Sequence, residues 1–155
     1  MGLDMYLYRK SWVDNSEWIK PEYRTEIKMT TGGKEVDTSN IRYIVEEIGY
    51  WRKANAIHKW FVNNVQNGED DCGEYKVTYE QLEKLKSTCE VVLKDLENGE
   101  VTLAKSELPT QSGFFFGDTG YGEWYEQDLK NTIKIIDGLT EKDKGNNTLT
   151  YSSSW

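Results

Sequence analysis

Apolar and polar residues alternate at both ends of this chain, whereas apolar residues between the ends recur every three or four positions. Leu3, Met5 and Leu7 alternate with polar neighbours, and residues 148–155 alternate again. A period of two is typical of a half-buried strand. Terminal strands that bracket helical segments favour an antiparallel sheet with helices on one face. The sequence therefore predicts an α+β fold whose antiparallel sheet includes the N- and C-terminal strands and packs against about three helices.

The first predicted helix is a long central helix over residues 41–66. Its apolar residues follow helical spacing at Ile41, Ile44, Val45, Ile48, Trp51, Ile57, Phe61, Val62 and Val65. A second helix follows a capping box formed by Thr78 and Gln81. Its stripe consists of Leu82, Leu85, Cys89, Val92, Leu93 and Leu96. A third helix, capped by Asp118 or Thr119, ends at Gly138.

Shorter strands are predicted between these elements. Residues 26–30 and 34–36 are expected to flank a glycine-containing turn, and residues 75–78 are expected to form another strand. The chain of 155 residues has the length of one ordinary domain, so residues 1–155 are expected to form a single domain.

The charge balance restricts the partners of the chain. The net charge of −8 argues against direct nucleic-acid binding, which requires a basic surface. The acidity is explained by ordinary solubility or by a surface that mimics DNA.

No apolar run is long enough to span a membrane, so a cytoplasmic protein is expected. The sequon Asn146-Asn147-Thr148 means little in such a chain. The high aromatic content, 13%, permits a ligand groove or a homo-oligomer.

The metal-ligating residue types form no recognisable site. Cys72 and Cys89 have neither zinc nor redox spacing, and Cys89 is expected to be a buried thiol. His58 is the only histidine of the chain, which excludes a site built from several histidines. No cofactor and no metal are therefore expected.

Two polar residues lie on the otherwise apolar stripe of the first predicted helix. Asn55 and His58 share that stripe with Trp51, and Arg52 lies beside it. A buried amide or imidazole needs hydrogen-bond partners, because leaving it unpaired costs about 1–3 kcal/mol. Three interpretations remain open: the pair holds a loop by its backbone, the pair contacts a ligand, or His58 acts as a general base.

The segment from Thr110 to Gly117 contains three consecutive phenylalanines between two glycines. Successive side chains of a strand point to opposite faces, so at least one of these rings should contact another element, a ligand or a partner. The glycines allow close approach of the backbone, and hydroxyl groups of Thr110 and Ser112 lie nearby. The segment lacks the lysine of a phosphate-binding Walker loop, so a buried aromatic segment is the competing interpretation.

Four segments resemble a family of small proteins encoded by bacteriophages and prophages. They are MGLDMYL at residues 1–7, GYWRKANAIHKWF at residues 49–61, LPTQSGFFFG at residues 108–117 and YSSSW at residues 151–155. The resemblance spans nearly the whole chain. It implies a phage accessory protein in the cytoplasm of an infected bacterium, and it transfers no catalytic residue.

The leading hypothesis is a non-catalytic protein that antagonises bacterial antiviral defence by sequestering a small anionic, nucleotide-like ligand. The residues expected to bind this ligand are Trp51, Arg52, Asn55, His58, Thr110, Ser112, Gly113, Phe114 and Phe116. One alternative is direct inhibition of a host or defence enzyme through an acidic or aromatic surface. A second alternative is a small hydrolase or transferase in which His58 is the catalytic residue, with Asp71 or Asp4.

Overall fold

A computed structural model of the chain describes residues 2–144 and 148–155. Both asparagines of the sequon lie outside the described residues. Within these residues there are six strands: β1 (Asp4–Trp12), β2 (Thr30–Thr31), β3 (Lys34–Glu35), β4 (Tyr43–Arg52), β5 (Glu74–Lys76) and β6 (Leu149–Ser154). The α-helices are α1 (Asn55–Asn64), α2 (Tyr79–Glu97), α3 (Thr102–Glu107) and α4 (Glu123–Asp137). Two short 3₁₀ turns lie at Pro21–Tyr23 and Glu141–Asp143.

The main sheet is antiparallel and has the strand order β4-β1-β6-β5. The N- and C-terminal strands are neighbours, since β1 pairs with β6 from Asp4 opposite Ser154 to Arg9 opposite Leu149. Strands β2 and β3 form a separate hairpin across the predicted glycine turn. The predicted α+β class and the membership of both terminal strands in one antiparallel sheet are confirmed.

The core lies between the helices and the sheet face that carries Leu3, Met5 and Leu7, all of which are fully buried. Phe61 of α1 stacks on Tyr151 of β6 with 3.8 Å between ring centroids. Burying large aromatic and aliphatic side chains stabilises the fold by about 1.5–3 kcal/mol each. The alternation seen at the N-terminus is therefore the pattern of a strand with one buried face.

Helix α2 is the longest helix and agrees with its prediction. Thr78 and Gln81 form the capping box, and Leu82, Leu85 and Cys89 are fully buried. Burial raises the pKa of the Cys89 thiol, as expected for a structural cysteine. The third predicted helix exists but begins at Glu123 after Gly122, so the predicted caps Asp118 and Thr119 are wrong.

The long helix predicted over residues 41–66 is wrong in its first half. Residues Tyr43–Arg52 form β4, and helix α1 begins only at Asn55. The register places Ile44 opposite Ser11 and Trp51 opposite Met5, with a bulge beside Leu7. A bulge adds one residue to a strand and shifts its alternation.

Because of that extra residue, Ile44 and Trp51 lie on one face of β4 although they are seven positions apart. A separation of seven is two turns of a helix, so the bulged strand imitates a helical stripe. Tyrosine, isoleucine, valine and tryptophan in this segment favour strands, and Gly49 disfavours a helix. Gly49 also permits close packing of α4, since a Cβ there would lie 2.7 Å from a methyl carbon of Ile135.

Candidate functional site

A cavity of about 520 Å³ lies where the end of β4, the loop after α3 and the start of α4 meet. This volume is in the range of small-molecule sites. Its lining comprises Arg52, Lys53, Asn55, Ala56, Thr110, Gly117, Asp118, Gly120, Trp124, Tyr125 and Asp128. The cavity thus brings together two cations, two carboxyl groups and two aromatic rings from segments distant in sequence.

The two cations come from the turn between β4 and α1. Lys53 has φ 59°, and its backbone N–H donates to Leu3 O at 2.7 Å, which fixes the turn against the residue that precedes β1. Gly117, with φ 85°, lies against this turn, because a Cβ there would be 3.0 Å from Lys53 Cβ. Both Arg52 and Lys53 are exposed, so their charges stand at the mouth of the cavity.

Asn55 ties the opposite loop to the start of α1. Its Nδ2 donates to Phe116 O at 2.9 Å and to Asp118 O at 2.8 Å, and its Oδ1 accepts from Gln111 N–H at 2.9 Å. The residue is 3% exposed. Asn55 lines the cavity, but its amide is already occupied by loop backbone, in agreement with the loop-holding interpretation.

The wall from α4 consists of Trp124, Tyr125 and Asp128. Trp124 is 73% exposed, which is unusual for so large an apolar side chain. Tyr125 is buried, and its hydroxyl donates to Leu108 O at 2.9 Å. Burial raises the pKa of that hydroxyl above its usual range. Trp124 is therefore the aromatic ring that this wall offers to a ligand.

The carboxyl group of Asp128 is half-buried and, among residues 2–144 and 148–155, receives no hydrogen bond or ion pair. The contact made by Thr132 Oγ1 is to the backbone oxygen of Asp128, at 2.7 Å. Burial raises the pKa of this carboxyl to about 7. A strongly perturbed, unpaired acid in a cavity is a candidate functional group with a stated physical cause.

The raised pKa of Asp128 predicts a pH-dependent effect of the Asp128→Asn substitution on stability. The folded carboxyl holds its proton to higher pH than the unfolded one, whose pKa is about 3.9. The folded state is therefore destabilised as the pH rises from about 4 through about 7, and the full cost is present above that window.

Asp128→Asn is accordingly expected to raise the free energy of unfolding near pH 8 by about 1–2 kcal/mol, allowing for the partial solvation of the group. Near pH 3 the change should be close to zero, because both states are then largely protonated. Urea unfolding of both proteins at the two pH values measures the difference. An equal change at both pH values would contradict an ionisation effect.

His58 lies outside the cavity, although it was predicted to share a site with Asn55. It is 0% exposed, with Nδ1 at 2.8 Å from Tyr151 Oη and Nε2 at 2.9 Å from Asp70 Oδ2. An ionised carboxylate only accepts hydrogen bonds, so Nε2 donates to an ionised Asp70, and in the neutral imidazole Nδ1 then accepts from the Tyr151 hydroxyl. Asp70 Oδ1 also accepts from Trp155 Nε1 at 3.1 Å. His58 thus joins α1 to the C-terminal strand.

Trp51 is also part of the core and does not line the cavity. It is 1% exposed, and its Nε1 donates to Thr132 Oγ1 at 2.8 Å. Its ring meets Phe61 edge-on at 5.8 Å between centroids. The indole N–H therefore has a hydrogen-bond partner within the protein, and the ring packs against another aromatic side chain of the core.

The residues predicted from the glycine-bounded loop are divided in the structure. Thr110 lines the cavity, and its hydroxyl donates to Thr119 O at 2.9 Å. Phe116 is buried, and a Cβ at Gly113 would lie 2.8 Å from its ring. Ser112 is exposed, and Phe114 is 96% exposed at the tip of the loop. The segment is a loop and not a strand, and its phenylalanines do not share one environment.

Of the predicted ligand residues, the structure brings Arg52, Asn55 and Thr110 to the cavity. It places Trp51, His58, Ser112, Gly113, Phe114 and Phe116 elsewhere. Sequence reasoning missed Lys53, Asp118, Trp124, Tyr125 and Asp128. A signal did exist, because Trp124 and Asp128 are four residues apart on a predicted helix and so share one face.

Comparisons with family models, with curated proteins and with solved structures found no match to this chain. Within the described residues, no helix is both long and apolar enough to cross a membrane. Residues 2–144 and 148–155 contain no group of three histidine, cysteine or acidic side chains placed to hold a metal ion.

Proposed function

We propose that this chain is a binding protein that sequesters a small anionic, nucleotide-like ligand in the cavity between α1, α4 and the loop from Thr110 to Gly117. The observation that carries the proposal is the combination of an exposed Trp124, two cations and an unpaired Asp128 around about 520 Å³. Pockets with an aromatic wall and a few convergent polar groups are typical ligand sites.

The charges of the cavity match the parts of such a ligand. Arg52 and Lys53 at the mouth are suited to a phosphate group, with Arg52 able to offer two parallel N–H donors. The exposed face of Trp124 is suited to stacking a base, which contributes about 1–3 kcal/mol in comparable contacts. The chain has a net charge of −8, so two adjacent cations beside an exposed indole give this part of the surface a charge opposite to that of the whole chain.

Binding is favoured over turnover by the state of the lining hydroxyl groups. Thr110 donates to Thr119 O, and Tyr125 donates to Leu108 O, so both are occupied by structural hydrogen bonds. The lining contains no histidine, cysteine or serine. His58, the acid–base group of the enzyme alternative, is enclosed by Tyr151 and Asp70. Among the described lining residues, therefore, no hydroxyl or thiol group is left free to act as a nucleophile beside a base.

The biological role that we propose is antagonism of bacterial antiviral defence by removal of a nucleotide-derived signal. It rests on the resemblance to small phage and prophage proteins. Two of the segments that carry the resemblance, residues 49–61 and 108–117, supply both walls opposite α4. This placement supports a shared ligand site, whereas the defence context comes from the resemblance alone.

Isothermal calorimetry against nucleoside monophosphates and cyclic dinucleotides tests the binding proposal. We expect at least one nucleotide to bind in the micromolar range, with affinity falling as salt rises, since the phosphate contacts are exposed. Arg52→Ala should weaken binding about tenfold or more, because a charge-assisted contact is lost. Lys94→Ala, which removes an exposed charge from α2, is the matched control and should leave affinity unchanged. Absence of binding below millimolar concentration for every nucleotide would refute the proposal.

A second candidate function, inhibition of a protein partner, is favoured by the sheet face opposite the core. Here the outer aromatic row consists of Tyr6, Tyr8, Trp12, Tyr43 and Tyr50. Tyr6 and Tyr8 stack at 5.7 Å between centroids, and Trp12 meets Tyr43 at 4.9 Å. Trp12 and Tyr43 are each about half exposed. Aromatic residues on an open face are enriched at protein interfaces.

Paired variants distinguish the two candidates in a bacterial host whose defence the chain blocks. We expect the cavity pair Arg52→Ala with Trp124→Ala to abolish the blocking. The outer-row pair Trp12→Ala with Tyr43→Ala should retain it. The reverse result would support inhibition through the outer aromatic row and would exclude the cavity as the functional site.

A further inference from the structure

The half-buried carboxyl group of Asp128 restricts which ligands the cavity can bind. We infer, on the premise of the proposed function, that the cavity selects a base whose edge carries two adjacent N–H donors, as guanine does, and that Asp128 reads those donors.

Asp128 lies one helical turn after Trp124 on the cavity side of α4. Side chains four residues apart on a helix are neighbours, with Cβ atoms about 5–6 Å apart. A base stacked on the indole therefore has its edge within reach of the carboxyl group. The phosphate-bearing side of such a ligand would then meet Arg52 and Lys53, the cations of the same lining.

The carboxyl oxygens of Asp128 are free to accept. The nearest cations of the lining, Arg52 and Lys53, form no ion pair with it within 4.0 Å, although the described residues contain several such pairs elsewhere. Tyr125, its neighbour on α4, donates to Leu108 O instead. Asp118, the other acid of the lining, is exposed. A half-buried acceptor without a partner is costly, and a ligand with matching donors offsets that cost.

An ionised carboxylate accepts two parallel hydrogen bonds. Guanine offers N1–H and the 2-amino group side by side. Hypoxanthine keeps N1–H and lacks the amino group. Adenine presents an amino group beside an acceptor, and uracil presents one N–H between two carbonyl oxygens, which a carboxylate repels. The expected order of affinity is therefore guanine first, hypoxanthine second, and adenine and uracil last.

Calorimetry with guanosine, inosine, adenosine and uridine 5′-monophosphates near pH 8, where Asp128 is ionised, tests the inference. We expect the guanosine nucleotide to bind about ten- to hundredfold more tightly than the adenosine nucleotide, as two charge-assisted hydrogen bonds allow. Asp128→Asn replaces one acceptor by a donor and should reduce the preference to about threefold or less. Asp137→Asn, at the exposed end of the same helix, should keep the full preference.

The outcomes separate this inference from the proposed function. If nucleotides bind but the four bases differ by less than about threefold, the reading of the base by Asp128 is overturned and ligand sequestration stands. A preference for adenine would overturn it as well. If no nucleotide binds to a protein whose thermal unfolding is cooperative, both the inference and the proposed function fail. Retention of the guanine preference in Asp128→Asn would assign the selection to another group.

Discussion

Replacement of Asn55 by aspartate is expected to lower the free energy of unfolding by about 3–5 kcal/mol. The amide currently donates to two backbone oxygens, Phe116 O and Asp118 O, and accepts from Gln111 N–H. A carboxylate keeps the acceptor but loses both donors, so its charge would face two carbonyl oxygens in a buried position. Each orphaned buried group costs about 1–3 kcal/mol, and burying an unpaired charge adds to the loss.

The same substitution should open the cavity, because Asn55 connects the loop wall to helix α1. Nucleotide affinity is then expected to fall even at temperatures where the variant remains folded. Asn63→Asp, an identical chemical change at an exposed position of α1, is the matched control. It adds a negative charge near the helix C-terminus and should cost less than about 1 kcal/mol. Urea unfolding that gave similar losses for both variants would show that the Asn55 hydrogen bonds contribute little.

The sequence predicts those elements whose local pattern and tertiary environment agree. β1 alternates because one face meets the core, and α2 carries both a capping box and an unbroken stripe. In each case the hydrophobic pattern of the sequence matches the pattern of buried residues in the folded chain. A strand or helix can be predicted from its pattern when the two agree. Neither prediction required knowledge of a distant segment.

β4 could not be predicted in this way, because its pattern depends on its partner. The bulge opposite Leu7 converts the strand period into the spacing of a helix, and it exists only when β4 is paired with β1. The change from strand to helix at Lys53 depends on a positive φ and on a hydrogen bond to Leu3 O. These are tertiary contacts that a single sequence does not reveal.

The candidate site was predicted in part for a related reason. An amide on an apolar stripe is conspicuous in sequence, which identifies Asn55 and, beside it, Arg52. Thr110 is identified separately, from the glycine-bounded aromatic segment. Asp128 is an ordinary acid on an exposed-looking helix face, and only the packing of α4 against the turn after β4 removes water from it. The four-residue spacing of Trp124 and Asp128 indicates that they share a helix face, but desolvation of that face by distant segments leaves no local trace in a sequence.

Replacement of His58 by alanine is expected to destabilise the fold by about 3–5 kcal/mol. The substitution leaves a void beside Phe116, whose ring meets the imidazole edge-on at 5.4 Å. It also removes the hydrogen-bond partner of the Tyr151 hydroxyl and one partner of Asp70. Tyr151→Phe removes only one of these hydrogen bonds and should cost about 1–2 kcal/mol. Thermal and urea unfolding of both variants measure the two losses.

The nucleotide affinity of the folded fraction of His58→Ala shows whether the imidazole only stabilises the fold or also contributes to ligand binding. His58 does not line the cavity, so nucleotide affinity measured well below the unfolding temperature should match that of the unaltered protein. A His58→Gln variant retains hydrogen-bonding groups and should recover part of the stability. If His58→Ala instead lost binding or activity while unfolding at nearly the same urea concentration, His58 would have to act on the ligand itself. The hydrogen-bonded chain of Tyr151, His58 and Asp70 would then have to be connected to the cavity through Phe116, whose ring contacts the imidazole and whose carbonyl oxygen accepts from the Asn55 amide.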